Sequence, residues 1–176
     1  MVNEGIAQSA TVDRTKLLSQ SYANIYNLIN TRSNIADPKG ASKRTFVYTR
    51  EPHVQGRGFS SELFPFIVLK KPMIDFSEFS VSETKSRVVG ELVCEVYSSD
   101  EMSGYHKNKG NAYFNQIVDD LFETINNVTN KTTLRAYAEG GININTDDMD
   151  DITFNNKTIF FGRFTISFDL RMVVSA

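Results

Sequence analysis

Between Phe160 and Val174 apolar and polar residues alternate. Phe164, Ile166, Phe168, Leu170, Met172 and Val174 take one parity; Arg163, Thr165, Ser167, Asp169 and Arg171 take the other. Successive side chains of a β-strand point to opposite faces, so the run predicts a strand with an apolar row on a core and a polar row outside. At about 3.3 Å per residue it would span roughly 45–50 Å, where an ordinary strand has about five or six residues. A strand of that length is expected to run past the core of its own domain. Its polar row, with Arg163 and Arg171 on either side of Asp169, is expected to face water or another subunit.

A chain of 176 residues is long enough to bury a real core. No linker or internal repeat divides it, so a single domain over 1–176 is expected. A net charge of −2 gives no global basic signal for nucleic acid or membrane. The single cysteine, Cys94, excludes an internal disulfide and a cysteine zinc site, and its apolar strand context predicts a buried, inert thiol. The first residues, MVNEGIAQSATVDR, lack the basic and apolar regions of a secretory signal. No apolar run approaches the roughly 20 residues of a membrane span. Together these point to a reducing, soluble compartment.

Residues 1–12 are small and polar and are expected to fray. Asp13 is a candidate N-cap for a helix whose stripe is Leu17, Leu18, Tyr22, Ile25, Leu28 and Ile29, ending near Thr31 before the turn cluster Asp37-Pro38-Lys39-Gly40. Short strands are expected over Thr45–Arg50, Phe64–Lys70, Ile74–Phe79 and Thr132–Ala138. A longer one is expected over Arg87–Ser98, with Val88, Leu92, Cys94 and Val96 on one face and Glu91, Glu95 and Tyr97 on the other. Gly90 interrupts the first row and is read as a bulge. A second helix carries the stripe Ile117, Val118, Leu121, Phe122, Ile125 and Val128, capped near Asn108 or Asn111, with Asp119, Asp120 and Glu123 towards solvent. Residues 51–62 and 139–151 read as long loops. Asn155-Asn156 reads as the turn of a hairpin between Ile152–Phe154 and the closing strand. The order predicts an α+β fold with two helices packed on a mainly antiparallel sheet and a long C-terminal strand hairpin.

No constellation for chemistry emerges. Counted as a calcium loop from Asn143, the acidic run would need glycine where Asp148 stands and glutamate where Phe154 stands. A solvated acidic loop or a contact with a basic neighbour fits Asp147, Asp148, Asp150 and Asp151 better. Glu91 and Glu95 lie about 13 Å apart along one strand, too far to share a metal or a glycosidic bond. His53 and His106 have no partner at metal spacing, and no serine sits in a nucleophile elbow. Gly56-Arg57-Gly58 lacks the lysine of a phosphate loop. Lys70-Lys71 and Lys43-Arg44 are isolated basic pairs. No catalytic, cofactor or metal site is expected, and the chain is read as a non-enzyme.

The layout resembles the tail-terminator and tail-completion (head–tail joining) proteins of long-tailed bacteriophages. The resemblance runs from the helix with IYNLIN through the strand VVGELVCEVYS and the helix YFNQIVDDLFETI to the alternating FFGRFTISFDLRMVV. It covers most of the chain from about residue 14 and is one of layout, with no signature motif; the stretches 51–62 and 142–151 depart from it. The resemblance implies a homo-oligomeric ring, usually hexameric, in the tail or neck of the virion, assembled in the host cytoplasm. Its partners would be further copies of itself, the tail tube protein and the neck or connector proteins, with DNA only passing through the lumen and no membrane contact. Another phage connector, a baseplate-proximal adaptor or a non-catalytic nucleic-acid-binding module are the alternatives. Rings use heterologous contacts, and charge segregation suggests that Glu139, Asp147, Asp148, Asp150 and Asp151 meet basic groups such as Arg57, Lys70 or Lys71 of a neighbour.

Overall fold

The computed structural model describes residues 17–31, 46–52, 64–70, 73–82, 85–100, 109–129, 141–154 and 157–173. In chain order these form α1 (Leu17–Thr31), β1 (Val47–Tyr48), β2 (Phe66–Leu69), β3 (Met73–Ser82), β4 (Lys85–Ser99), α2 (Gly110–Asn126), β5 (Gly141–Phe154) and β6 (Lys157–Val173). The fold is α+β: two helices on a mainly antiparallel sheet that closes with a long hairpin, as the alternating pattern predicts. The strands run β1-β2-β4-β6-β5, with β3 also paired to β4, and only β1–β2 is parallel.

The sheet is built on β4 and β6, which pair without a register shift from Lys85↔Val173 to Ser99↔Ile159. That pairing assigns the two faces. Leu92, Cys94 and Val96 of β4 and Phe160, Phe164, Ile166 and Phe168 of β6 share the face covered by the helices, with Ile67 and Leu69 of β2 and Ile142 and Ile144 of β5. α1 contributes Ile25, Leu28 and Ile29, and its Tyr22 and Tyr26 hydroxyls donate to the carbonyls of Leu69 (2.9 Å) and Val47 (3.5 Å). These bonds fix α1 over the β1–β2 flank. α2 lays Phe114, Ile117, Leu121 and Ile125 on the centre of the sheet, the 3–4 spacing read from the sequence. Val128 falls past the end of that helix and is 78% exposed, so it is not part of the stripe.

Four expectations change. Residues 141–151 are not a loop but most of β5, a 14-residue strand paired to β6 along its whole length. β3 is 10 residues long, longer than the Ile74–Phe79 segment read from sequence. Gly90 marks no bulge, since it pairs in register with Phe168; a Cβ there would lie 2.3 Å from the Phe168 ring, which packs over the gap. α2 starts after Lys109 with no side-chain cap bond from that residue, and Asn111 lies inside the helix, while Asn108 lies outside the described residues; Asp100 Oδ1 accepts the Gly110 N–H at 3.0 Å from across the β4–α2 connection. Residues 1–12, Asp13, most of 51–62 and the strand expected over Thr132–Ala138 lie outside the described residues.

At Gly110 the helix start abuts the end of β4, so that a Cβ would meet the Ser99 carbonyl carbon at 2.5 Å. Backbone cannot swing aside as a side chain does. Helix propensity alone favours alanine over glycine by about 1 kcal/mol or less, so the two effects oppose each other in sign. Gly110→Ala is expected to lower stability by about 1–3 kcal/mol in urea denaturation, with a smaller loss for Gly90→Ala.

Candidate functional site

The face of the sheet away from the helices carries a row of rings. Tyr48 on β1, Phe66 on β2, Tyr97 on β4 and Phe161 on β6 lie side by side across four strands. Their centroids are 5.7 Å (Tyr48–Phe66), 4.9 Å (Phe66–Tyr97) and 5.1 Å (Tyr97–Phe161) apart. Each ring occupies the same parity as its neighbour in the register, Phe66↔Tyr97 and Tyr97↔Phe161. Such cross-strand aromatic pairs each add about 0.2–1 kcal/mol beyond an alanine pair. Phe64, Val68 and Ile159 complete this second, smaller core.

Beside that row sits Glu95, the only charged side chain among the described residues that is fully buried. The register delivers its partners. Val68 and Arg163 flank Glu95 on the adjacent strands, and Lys70 lies two residues beyond Val68. Lys70 Nζ reaches Glu95 Oε1 at 2.7 Å, and Arg163 reaches the same oxygen through Nη2 at 3.0 Å and Nε at 3.1 Å. The Tyr97 hydroxyl donates to Oε2 at 3.1 Å. Removing a carboxylate from water costs several kcal/mol, offset only by close and well-aligned donors. Here both oxygens are engaged and the cluster joins β2, β4 and β6 at one point.

The cations themselves reach the surface. Lys70 is 40% and Arg163 45% exposed, Glu51 approaches Lys70 at 3.8 Å, and the Arg163 guanidinium lies 5.5 Å from the Phe161 ring centre. Burial, followed by the charge of Glu95 and the hydrogen bond to it, pushes the Tyr97 phenol well above its ordinary value, with Arg163 opposing weakly. On the helix face, burial, reinforced by the Glu95 charge, pushes the Cys94 thiol far up, as a buried inert thiol should behave.

The acidic run forms the edge of this face. A register shift between Thr146 and Asp148 makes Asp147 the extra residue of a bulge, and Thr165 Oγ1 donates to its Oδ2 at 2.5 Å. The bulge exchanges the parity of the strand. Ile142 and Ile144 point to the helices before it; after it, Met149 takes that side opposite Gly162, while Asp148 and Asp150 stand beside Arg163 and Phe161. Asp147, Asp148, Asp150 and Asp151 are all exposed, and Asp150 Oδ1 accepts the Asp151 N–H at 2.8 Å.

Of the residues singled out in the sequence, Lys70, Arg163, Asp147, Asp148, Asp150 and Asp151 share one sheet. Lys70 and Arg163 converge on Glu95, so Lys70 is not an isolated basic group and Arg163 is turned towards a buried partner while its rim meets water. Arg171 pairs in register with Arg87 at the far end of β6. Arg57, Lys71 and Glu139 lie outside the described residues. Glu95 and Tyr97 were missed as site residues. The available signal was a glutamate on an otherwise apolar strand, whose partner depends on a register that spacing does not supply. No family model matches the sequence, and no curated protein matches it.

Glu95→Ala is expected to cost about 1–3 kcal/mol in urea denaturation, because it removes the shared acceptor of the Tyr97 hydroxyl and of two cations that water can partly solvate. Lys70→Ala and Arg163→Ala each cost less, and their double variant departs from additivity. A second outcome follows from Tyr97, whose raised folded-state value means that its contribution is complete below the ordinary tyrosine pKa of 10.0 and is lost as pH rises beyond it. Above pH 10 the stability of the parent chain should therefore fall more steeply than that of Tyr97→Phe, by up to about 1.4 kcal/mol per pH unit.

Proposed function

We propose that this chain is a structural virion protein, a ring-forming tail terminator or tail-completion protein that caps the tail tube and joins it to the head and neck. The observation that carries the reading is the disproportion between the sheet and its helical cover. α2 has 17 residues and is about 25 Å long, whereas β6, also 17 residues, extends roughly 55 Å. β3, β4 and β6 continue together as a three-stranded extension, through pairs such as Val88↔Leu170 and Ser86↔Met172, beyond the last core residue described on β6, Phe168. The element order, a helix, a strand leading into a second helix and a closing hairpin, resembles the layout of that family.

In this reading the protein works through surfaces, without a catalytic centre. Partners are further copies of the chain, the tail tube and the neck proteins, in the virion. The exposed acidic strand β5 and the cation pair on β2 and β6 supply charged ground for such contacts, and the Glu95 cluster gives them a rigid base.

Light scattering on the purified protein, followed by negative-stain imaging, tests this. The expected result is a ring of about six copies, formed alone or on addition of tail tubes. A strict monomer that ignores tubes and shifts DNA in a salt-dependent manner would replace the assembly reading with that of a nucleic-acid-binding module.

A further inference from the structure

β1 and β5 are the two ends of the strand order. β1 has only 2 residues, so its outer edge is short. β5 has 14, and among the described strands it pairs with β6 alone. An edge strand turns a row of backbone N–H and C=O groups away from its own sheet, and such a row is a template for another strand. On β5 one stretch is the most open. Burial alternates at first, with Asn143 exposed between the buried Ile142 and Ile144, but all nine residues of 145–153 are exposed. Neither face of that stretch is buried. It also holds Met149 and Ile152, two of the four exposed large apolar side chains among the described residues. A long edge with apolar side chains on it is ground on which a second copy of the chain could pair.

The aspartates occupy that same stretch, and β5 contains no lysine or arginine to balance them. Two β5 edges meeting about a two-fold axis pair antiparallel, the same patch on both copies. Centred on Met149, the pairing sets Asp148 opposite Asp150 and Asp147 opposite Asp151. A shift of one residue either way sets Asp148 opposite Asp151, or Asp147 opposite Asp150. Centred on Asp148 or Asp150, that residue meets its own copy. Every register centred on this stretch therefore opposes like charges, which destabilises a strand pair. The bulge at Asp147 distorts the edge further. We infer that the aspartates of β5 keep copies of this chain from joining edge to edge, guarding the one long edge that its strand order leaves open. The same charges admit a basic neighbour. The guard is a property of the free chain and does not depend on the ring reading.

Removing the charge tests it. Asp148→Asn, Asp150→Asn and Asp151→Asn together neutralise the edge and leave Asp147, the acceptor of the Thr165 hydroxyl, in its bulge. Light scattering across a concentration series at low salt reads association beyond whatever state the parent chain forms. The asparagine variant is expected to associate at a concentration at least tenfold lower than the parent, with hydrogen–deuterium exchange slowed at 145–153. The corresponding lysine variant, in which like charges again oppose one another, is expected to stay apart alone and to associate when mixed with the parent. The parent in 1 M NaCl, where the screening length falls to about 3 Å, is expected to shift towards the asparagine variant. That arm uses no substitution, and it decides the matter where circular dichroism finds a variant unfolded. The inference is overturned if the neutralised chain and the parent at high salt both stay as dispersed as the parent at low salt. Association without protection at 145–153 also overturns it, because the contact then lies elsewhere, as does a lysine variant that associates alone as readily as the asparagine one.

Discussion

The unbroken ladder between β4 and β6 is the constraint on which the rest of the molecule depends. It runs from Lys85↔Val173 to Ser99↔Ile159 with no register shift, and period-two alternation makes register equivalent to facing: a slip of β4 by one residue against β6 would turn Leu92, Cys94 and Val96 outward and Glu95 inward towards the helices, away from Arg163. Both cores and the ion cluster follow from that one alignment. The helices need the even-numbered row to be apolar, and the aromatic row needs Tyr97 and Phe161 to be neighbours. Glu95 needs Arg163 across from it.

The buried glutamate is costly as an isolated object and reasonable as part of this ladder. Replacing the whole cluster with well-packed apolar residues of similar size would cost little or no stability. What an ion cluster adds is discrimination: a carboxylate with two cations and a phenol tolerates one register of β2, β4 and β6, because any shift leaves charges unpaired in a dry site. The aromatic row beside it supplies non-directional burial. Bulk burial and directional pairing thus act on the same strands, one strong and permissive, the other selective.

Much of the fold was legible in the sequence because periodicity is a local property. The stripe of α1, the row Ile117, Leu121 and Ile125 of α2 and the alternation of β6 each declare their element and the side that packs. The acidic stretch was read as a loop because Asp147, Asp148, Asp150 and Asp151 have low strand propensity and present no apolar row. The strand forms there because β6 offers it a ladder of hydrogen bonds, a tertiary effect that overrides propensity. The Glu95 cluster was illegible for a related reason. Lys70, Glu95 and Arg163 are far apart in the chain, and only strand order and register bring them together. Gly90 shows the same limit, since its meaning lies in the Phe168 ring across the ladder.

The proposed assembly, in which a rigid β4–β6 spine carries contacts at the acidic β5 edge, makes a distinct demand on dynamics. Hydrogen–deuterium exchange measured on the isolated chain and on the assembled particle addresses it most directly. The account predicts that amides of β4 and β6 between Glu91 and Ser99 and between Ile159 and Phe168 are the slowest in both states. It also predicts that assembly slows exchange at residues 147–152 of β5. Unchanged exchange at β5 on assembly, or spine amides that exchange as fast as those of β5, would contradict it.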